Sequence, residues 1–287
     1  MRKLFIAAAL AAVLPVSLAS AATDAGAPAW NYEAFKSAIE AGGRSQNISD
    51  KTFKRLQENR LKSLKIIEKY LTRRFGKADP LVMKAFAEVP REYYHFNYQS
   101  KKSFAASAYE LENVKPWAIG YGSALSDYLG QAYMTQIARP KPSDVVLEIG
   151  TGSGYQVSIL SRIVKQAYSI EIIEPLGQGV AKIFKPLGYN NIQTRVGDGF
   201  FGWPEVKGGF DIIIVTCVAQ YVPPALLEQL KPGGRLVIPI GQPFKKGGQF
   251  LYVYTKDQNG KVSSRKDVGV FFIPMTGQMQ KPSADKP

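Results

Sequence analysis

The chain has 287 residues, is 45% hydrophobic and carries a formal charge of +14 from 37 Lys and Arg against 23 Asp and Glu. That hydrophobic share supports a sizeable core, and a single cysteine, Cys217, excludes an intramolecular disulfide. The basic surplus favours acidic partners (anionic proteins, membrane surfaces or nucleic acid) without choosing among them.

The chain begins MRKLFIAAALAAVLPVSLASAA. Arg2 and Lys3 form a cationic head, Leu4–Leu18 an apolar stretch broken by Pro15 and Ser17, and Ala19-Ser20-Ala21 a small-x-small cleavage signal. Residues 1–21 therefore read as a secretory signal peptide, and the expected destination is the periplasm or the exterior. The stretch falls short of the about 20 residues that span a bilayer. No integral membrane segment is expected once it is removed.

Residues 22–60 read as an N-terminal extension, loose at first and partly helical, with a short helix around Trp30–Ala41. In KTFKRLQENRLKSLKIIEKYLTRRFGK, residues 51–77, Phe53, Leu56, Leu61, Leu64, Ile67, Leu71 and Phe75 recur at helical spacing. The pattern predicts a helix packed by one face with a solvated basic face. No nucleic-acid motif accompanies it, so nucleic acid is not an expected partner. A second helix is predicted over Pro80–Val89. From Glu92 to Tyr128 the sequence is aromatic and irregular, too long for an ordinary connection, and reads as a lid or binding loop. Its Tyr93, Tyr94, Phe96, Tyr98 and Phe104 suit either a peptide groove or core packing. His95, the only histidine, reads as structural.

From Asp144 the texture changes. VVLEIG, AYSIEI, FDIIIVT and RLVIPIG read as buried parallel strands. Helical stretches at Tyr155–Lys165, Leu176–Leu187 and Pro224–Leu230 alternate with them. The alternation predicts an α/β fold, a doubly wound and mostly parallel sheet with helices on both faces. FLYVYTKD and GVFFIPM read as further strands at one edge, and Pro232-Gly233-Gly234 as a tight turn before its strand. Cys217 is expected as a small buried residue at a strand end. Residues 276–287 are expected to be a disordered tail.

In such a sheet, ligands bind where strand carboxyl ends meet helix amino ends. LEIGTGSGYQ, residues 147–156, places Gly150, Gly152 and Gly154 at that junction, with Thr151 and Ser153 between them and Tyr155 after. Bare backbone lets a ligand lie close. The spacing is neither the dinucleotide G-x-G-x-x-G nor a phosphate loop ending in G-K-[ST]. Glu148 ahead of the glycines suits an ammonium or sulfonium better than a polyphosphate. Glu171, at the end of the second strand, is placed to accept from ribose hydroxyls. Asp198 between Gly197 and Gly199 suits an adenine amino group. S-adenosylmethionine answers all three. No cluster has metal-ligand spacing.

VPRE at Val89–Glu92, AYE at Ala108–Glu110, IGYGSALS at Ile119–Ser126, GDGFFGWP from Gly197 and PPALLEQLKPGGRLVIPIG from Pro223 resemble the protein-L-isoaspartate O-methyltransferase family. The resemblance runs over residues 61–275, the expected methyltransferase domain, with its substrate loop at about 92–128. It implies a Rossmann-like methyltransferase fold with a seven-stranded sheet and S-adenosylmethionine as donor. It implies methyl esterification of the abnormal carboxylate of L-isoaspartyl and D-aspartyl residues in damaged proteins or peptides, the ester then closing to a succinimide. The family's serine falls on Ser126, whose hydroxyl would orient the acceptor carboxylate. The chain departs from the family around this serine: Asp127-Tyr128 stand where Gln-Pro is usual, Ser123-Ala124 where Gln-Thr is usual, and Leu111 with an insertion, NVKPW, follows AYE. Asp127 would hinder an anionic acceptor unless it points away. A methyltransferase of the same fold with another acceptor, or a non-catalytic exported binding protein, stays open at this point, as does the cytoplasmic location usual for the family.

Overall fold

Asn31, Ser49 and Asp79 each turn a side-chain oxygen onto a first-turn N–H, of Ala34, Thr52 and Leu81. These caps set where helices α1 (Tyr32–Ala41), α2 (Asp50–Phe75) and α3 (Pro80–Glu88) begin. The computed structural model describes residues 30–245 and 247–281. The expected signal peptide lies outside the described residues.

α2 runs unbroken across the expected boundary at residue 60, so the extension and the domain share one helix. Its buried face is Phe53, Leu56, Ser63, Ile67 and Leu71. Leu61 is 64% exposed, a quarter-turn off that stripe, and Ser63 takes the inward position. The extension is not a loose leader where it is described. Phe35, Ile39 and Ile48 are buried in the same core as α2 and α3, and Trp30 donates to Glu92 at 2.8 Å.

The irregular segment is a chain of small elements: a 3-10 turn (Arg91–Tyr94), strands β1 (Phe96–Asn97) and β2 (Lys102–Ser103), then β3 (Trp117–Gly120) paired antiparallel with β4 (Ser123–Leu125). Tyr93, Tyr94, Phe96 and Tyr98 are buried. They are core, stacked edge to face in pairs, and leave residues 121–126, the hairpin tip with β4 and Ser126, to reach the ligand face. Helix α4 (Tyr128–Ala138) follows. Its sequence is polar in part yet enclosed throughout most of its length, which hides it from a periodicity search.

The main sheet has seven strands: β5 (Val145–Ile149), β6 (Gln166–Glu171), β7 (Ile192–Val196), β8 (Phe210–Val215), β9 (Leu230–Gly241), β10 (Gln249–Lys256) and β11 (Val262–Gly269). Their order is β11-β10-β9-β8-β5-β6-β7. The five from β9 to β7 are parallel, and β10 pairs antiparallel with β9 on one side and with β11 on the other. Helices α5 (Tyr155–Ser161), α6 (Glu174–Ala181) and α7 (Pro224–Glu228) connect the parallel strands. Leu147 and Ile149 pack on one face with Ile213 and Leu236, whereas Val146 packs on the other with Ile212 and Val237. Both faces are covered, which is why these strands are apolar without alternation.

Three expected elements differ. The last strand is Val262–Gly269 rather than 269–275, because Ser263–Lys266 pair with β10 while their side chains face solvent. Pro232-Gly233-Gly234 is looped out inside β9, which pairs with β8 both before it, at Leu230, and after it, at Arg235. Of the tail expected to be disordered, residues 276–281 form a 3-10 turn over Gly277–Gln280 and bury Met279, while residues 282–287 lie outside the described residues.

Candidate active site at the strand carboxyl ends

After β5 the chain goes on to β6 and β7 on one side, and β8 then returns to the other side of β5. The crevice at this reversal is where an open α/β sheet binds ligands. A cavity of about 400 Å³ opens there. Its lining includes Ser126, Glu148, Gly150, Thr151, Gly152, Ser153, Glu171, Asp198 and Gly199, brought together from residues more than seventy positions apart.

Gly150 has φ +96°, and a Cβ on it would lie 2.5 Å from Thr216 Oγ1. That hydroxyl donates to the carbonyl of Ile149 or Gly150, at 3.0 and 2.8 Å, and pins the turn to the end of β8. Glu171 accepts from the backbone N–H of Gly152 at 2.9 Å and of Ile173 at 3.0 Å. Burial raises its pKa, and these N–H groups oppose the shift.

Glu148 is wholly buried, and its Oε2 accepts from Ser169 at 2.5 Å. Because the Ser169 proton is used there, the hydroxyl of Thr151 donates to Ser169 at 2.7 Å. Glu148 Oε1 has no partner. Burial holds its carboxyl well above the ordinary glutamate range, and the neighbouring Glu171 adds to the shift. A buried acceptor left open at a cavity wall, beside a second carboxylate, fits a ligand that brings a positive charge and N–H donors. The donor set therefore fits S-adenosylmethionine: Glu148 and the 150–153 turn toward the cationic amino-acid end, Glu171 toward ribose hydroxyls, and Asp198 toward adenine.

Two expected contacts fall elsewhere. Gly154 is absent from the cavity wall and packs where a Cβ would meet Val180 and Phe184 at 2.9 Å, so its glycine serves helix packing. Tyr155 is buried behind the turn, 5.2 Å from the Tyr94 ring and under the Arg91 guanidinium. Cys217 is half-buried and forms part of the cavity wall. Burial, with Glu171 and Asp198 nearby, pushes its thiol up, so it is no thiolate nucleophile. His95 is buried outside the cavity and held neutral by burial and by Arg91. Asp127 caps α4, accepting from Gly130 N–H at 2.8 Å, and is absent from the cavity wall.

Sequence reasoning missed the far wall: Tyr121, Phe244 and the segment Phe272–Thr276. Gly277 was the available signal, a glycine whose Cβ would lie within 2.4 Å of Asp198. Among the described residues no group of His, Cys, Asp and Glu is arranged for a metal ion, and no helix is long and apolar enough to cross a membrane.

The family model for protein-L-isoaspartate(D-aspartate) O-methyltransferase matches residues 61–280. The chain belongs to this family. Protein-L-isoaspartate O-methyltransferase 2 of Syntrophobacter fumaroxidans is 40% identical over 239 residues, 83% of this chain and 92% of that protein. Protein-L-isoaspartate O-methyltransferase 1 of Nitrosospira multiformis is 50% identical over 162 residues, 56% of this chain and 67% of that protein. A solved protein-L-isoaspartate O-methyltransferase superposes with a TM-score of 0.65 at 27% identity, over 77% of this chain and 67% of that one. A Plasmodium falciparum protein solved with S-adenosyl-L-homocysteine has a TM-score of 0.59 at 22% identity, covering 74% and 97%, and shares the fold. The methyltransferase fold and the donor expected from the glycine turn agree with this membership.

Proposed function

We propose that this protein transfers the methyl group of S-adenosylmethionine to the free carboxylate of L-isoaspartyl and D-aspartyl residues in damaged proteins. The observation that carries the reading is one cavity whose wall holds the open acceptor of Glu148 and, on the β4 side, Ser126. S-adenosylmethionine, when bound, supplies an electrophilic methyl group on a sulfonium sulfur. The acceptor is ionised already, since carboxylates titrate near pH ~4. The site is thus asked for alignment and exclusion of water rather than for a base. Glu148, Glu171 and Asp198 hold the donor end, and the Ser126 hydroxyl orients the acceptor oxygen. Asp127, engaged as a helix cap, leaves that side open to an anion.

Mass spectrometry of an isoaspartyl peptide and its aspartyl isomer, each incubated with protein and donor, tests this. A methyl ester on the isoaspartyl peptide alone supports the reading; no ester, or equal esters on both, rejects it.

Export belongs to the same proposal and is supported by the Arg2–Ala21 pattern. Amino-terminal sequencing of the protein from the periplasmic fraction should begin at Ala22. A chain recovered from the cytoplasm and starting at Met1 would place the reaction there instead.

A further inference from the structure

Arg91 is the bulkiest of the fully enclosed side chains, 1% exposed, and it makes no ion pair among the described residues. Its Nη2 donates to the carbonyl oxygen of Ser126 at 2.7 Å and its Nη1 to Gln131 Oε1 at 2.8 Å. Its Nε has no partner. The guanidinium lies 5.0 Å from the Tyr155 ring centre and 5.7 Å from that of Tyr128. Its own backbone N–H donates to Tyr109, whose hydroxyl donates to Glu92 at 2.5 Å. The cation is therefore held through both of its Nη atoms while its charge is balanced only at a distance. Burial lowers its pKa, and Asp127 and the neighbouring tyrosines oppose that shift. An arginine keeps its proton even so.

An unpaired cation buried at this depth is costly unless something repays the desolvation. The position of Arg91 says what that is. It grips the peptide unit that carries Ser126 from behind, outside the cavity, whose charged lining residues, Glu148, Glu171 and Asp198, are all acidic. A negatively charged acceptor entering such a cavity is repelled unless a positive charge stands behind its docking point. We infer that Arg91 is the positioning residue for the acceptor: it fixes the Ser126 peptide and supplies the positive potential that admits a carboxylate. The inference rests on the proposed reaction and adds what selects the acceptor's charge.

The test compares binding of an isoaspartyl peptide with that of its isoasparaginyl analogue, equal in shape but neutral, to the protein saturated with S-adenosylhomocysteine. Calorimetry should show wild type favouring the anionic peptide, and Arg91→Met should lose about tenfold of that preference. Arg91→Lys, which restores charge without the two-armed contact, should regain part of it. In hydrogen exchange both variants should loosen residues 123–131, and donor-product affinity should stay within about twofold. If Arg91→Met weakens both peptides equally, or neither, the electrostatic role is overturned. If Arg91→Met does not fold, the Arg91→Lys comparison decides by the same criterion. Should wild type bind no isoaspartyl peptide, the functional reading fails, and hydrogen exchange still reports whether Arg91 orders the Ser126 segment; unchanged exchange would remove that role too.

Discussion

Gln278 donates its backbone N–H to Asp198 Oδ2 at 2.7 Å. The end of the described chain is thereby latched to the turn after β7. The other oxygen of Asp198 accepts from Phe200 N–H at 2.9 Å. Upstream, Val218 donates to Ile273 and Met275 donates to Val218, both at 2.8 Å, so the segment also lies along the loop after β8. It bridges the ends of β7 and β8 and supplies Pro274–Thr276 to the cavity wall.

This latch makes Gly277 sensitive. A Cβ there would lie 2.4 Å from Asp198 Oδ2, and φ is +76°. Gly277→Ala must break the latch or strain the backbone, at about 1–2 kcal/mol. Calorimetry should show donor affinity weakened roughly tenfold, the factor that about 1.4 kcal/mol represents, with circular dichroism unchanged. Unaltered affinity would mean that the segment does not shape the donor site.

Glu148 gives a pH dependence with a defined sign. Its folded pKa lies well above the ordinary 4.5. Between those values the unfolded chain has lost the proton and the folded protein keeps it, so stability falls as pH rises through the window. Thermal melts of ligand-free protein from about pH 5 upward should show this decline, and Glu148→Gln should lessen it. Binding a cation favours the carboxylate, so donor affinity should rise with pH in wild type and flatten in Glu148→Gln. Equal slopes in the two proteins would place the linked proton elsewhere.

Much of the sheet is legible from sequence because strands buried on both faces are apolar runs, and β5, β6, β8 and the later part of β9 are such runs. One wall of the cavity is legible for a similarly local reason: Glu148, the 150–153 turn, Glu171 and Asp198 all lie at strand ends. What escapes is tertiary. Gly154 and Tyr155 share the loop pattern of their neighbours, and only packing against Phe184, Val180 and Tyr94 assigns them to the core. Nothing local marks β11, whose residues are polar because one edge of the sheet meets solvent. Arg91 stands in the VPRE segment, but nothing local marks it as buried.

The extension before residue 61 is part of the core. Phe35 is fully buried, its ring 5.4 Å from that of Phe53. Phe35→Ala should cost about 3–5 kcal/mol in denaturant unfolding. A loss below about 1 kcal/mol would show that the extension docks only loosely.

Ser126→Ala separates acceptor from donor. Losing a group that aligns the reacting oxygen should lower the rate roughly a hundredfold. Donor-product affinity by calorimetry should remain that of wild type. A fall in both would place Ser126 in the donor site; a fall in neither would make it an ordinary loop serine.

The most direct measurement is a crystal structure of the protein with S-adenosylhomocysteine and an isoaspartyl peptide. The sulfur compound should lie along the 150–153 turn between Glu148 and Asp198, with the peptide carboxylate against Ser126, in front of Arg91. A peptide bound away from Ser126, or a cavity filled by neither molecule, would contradict methyl transfer to a carboxylate at this site.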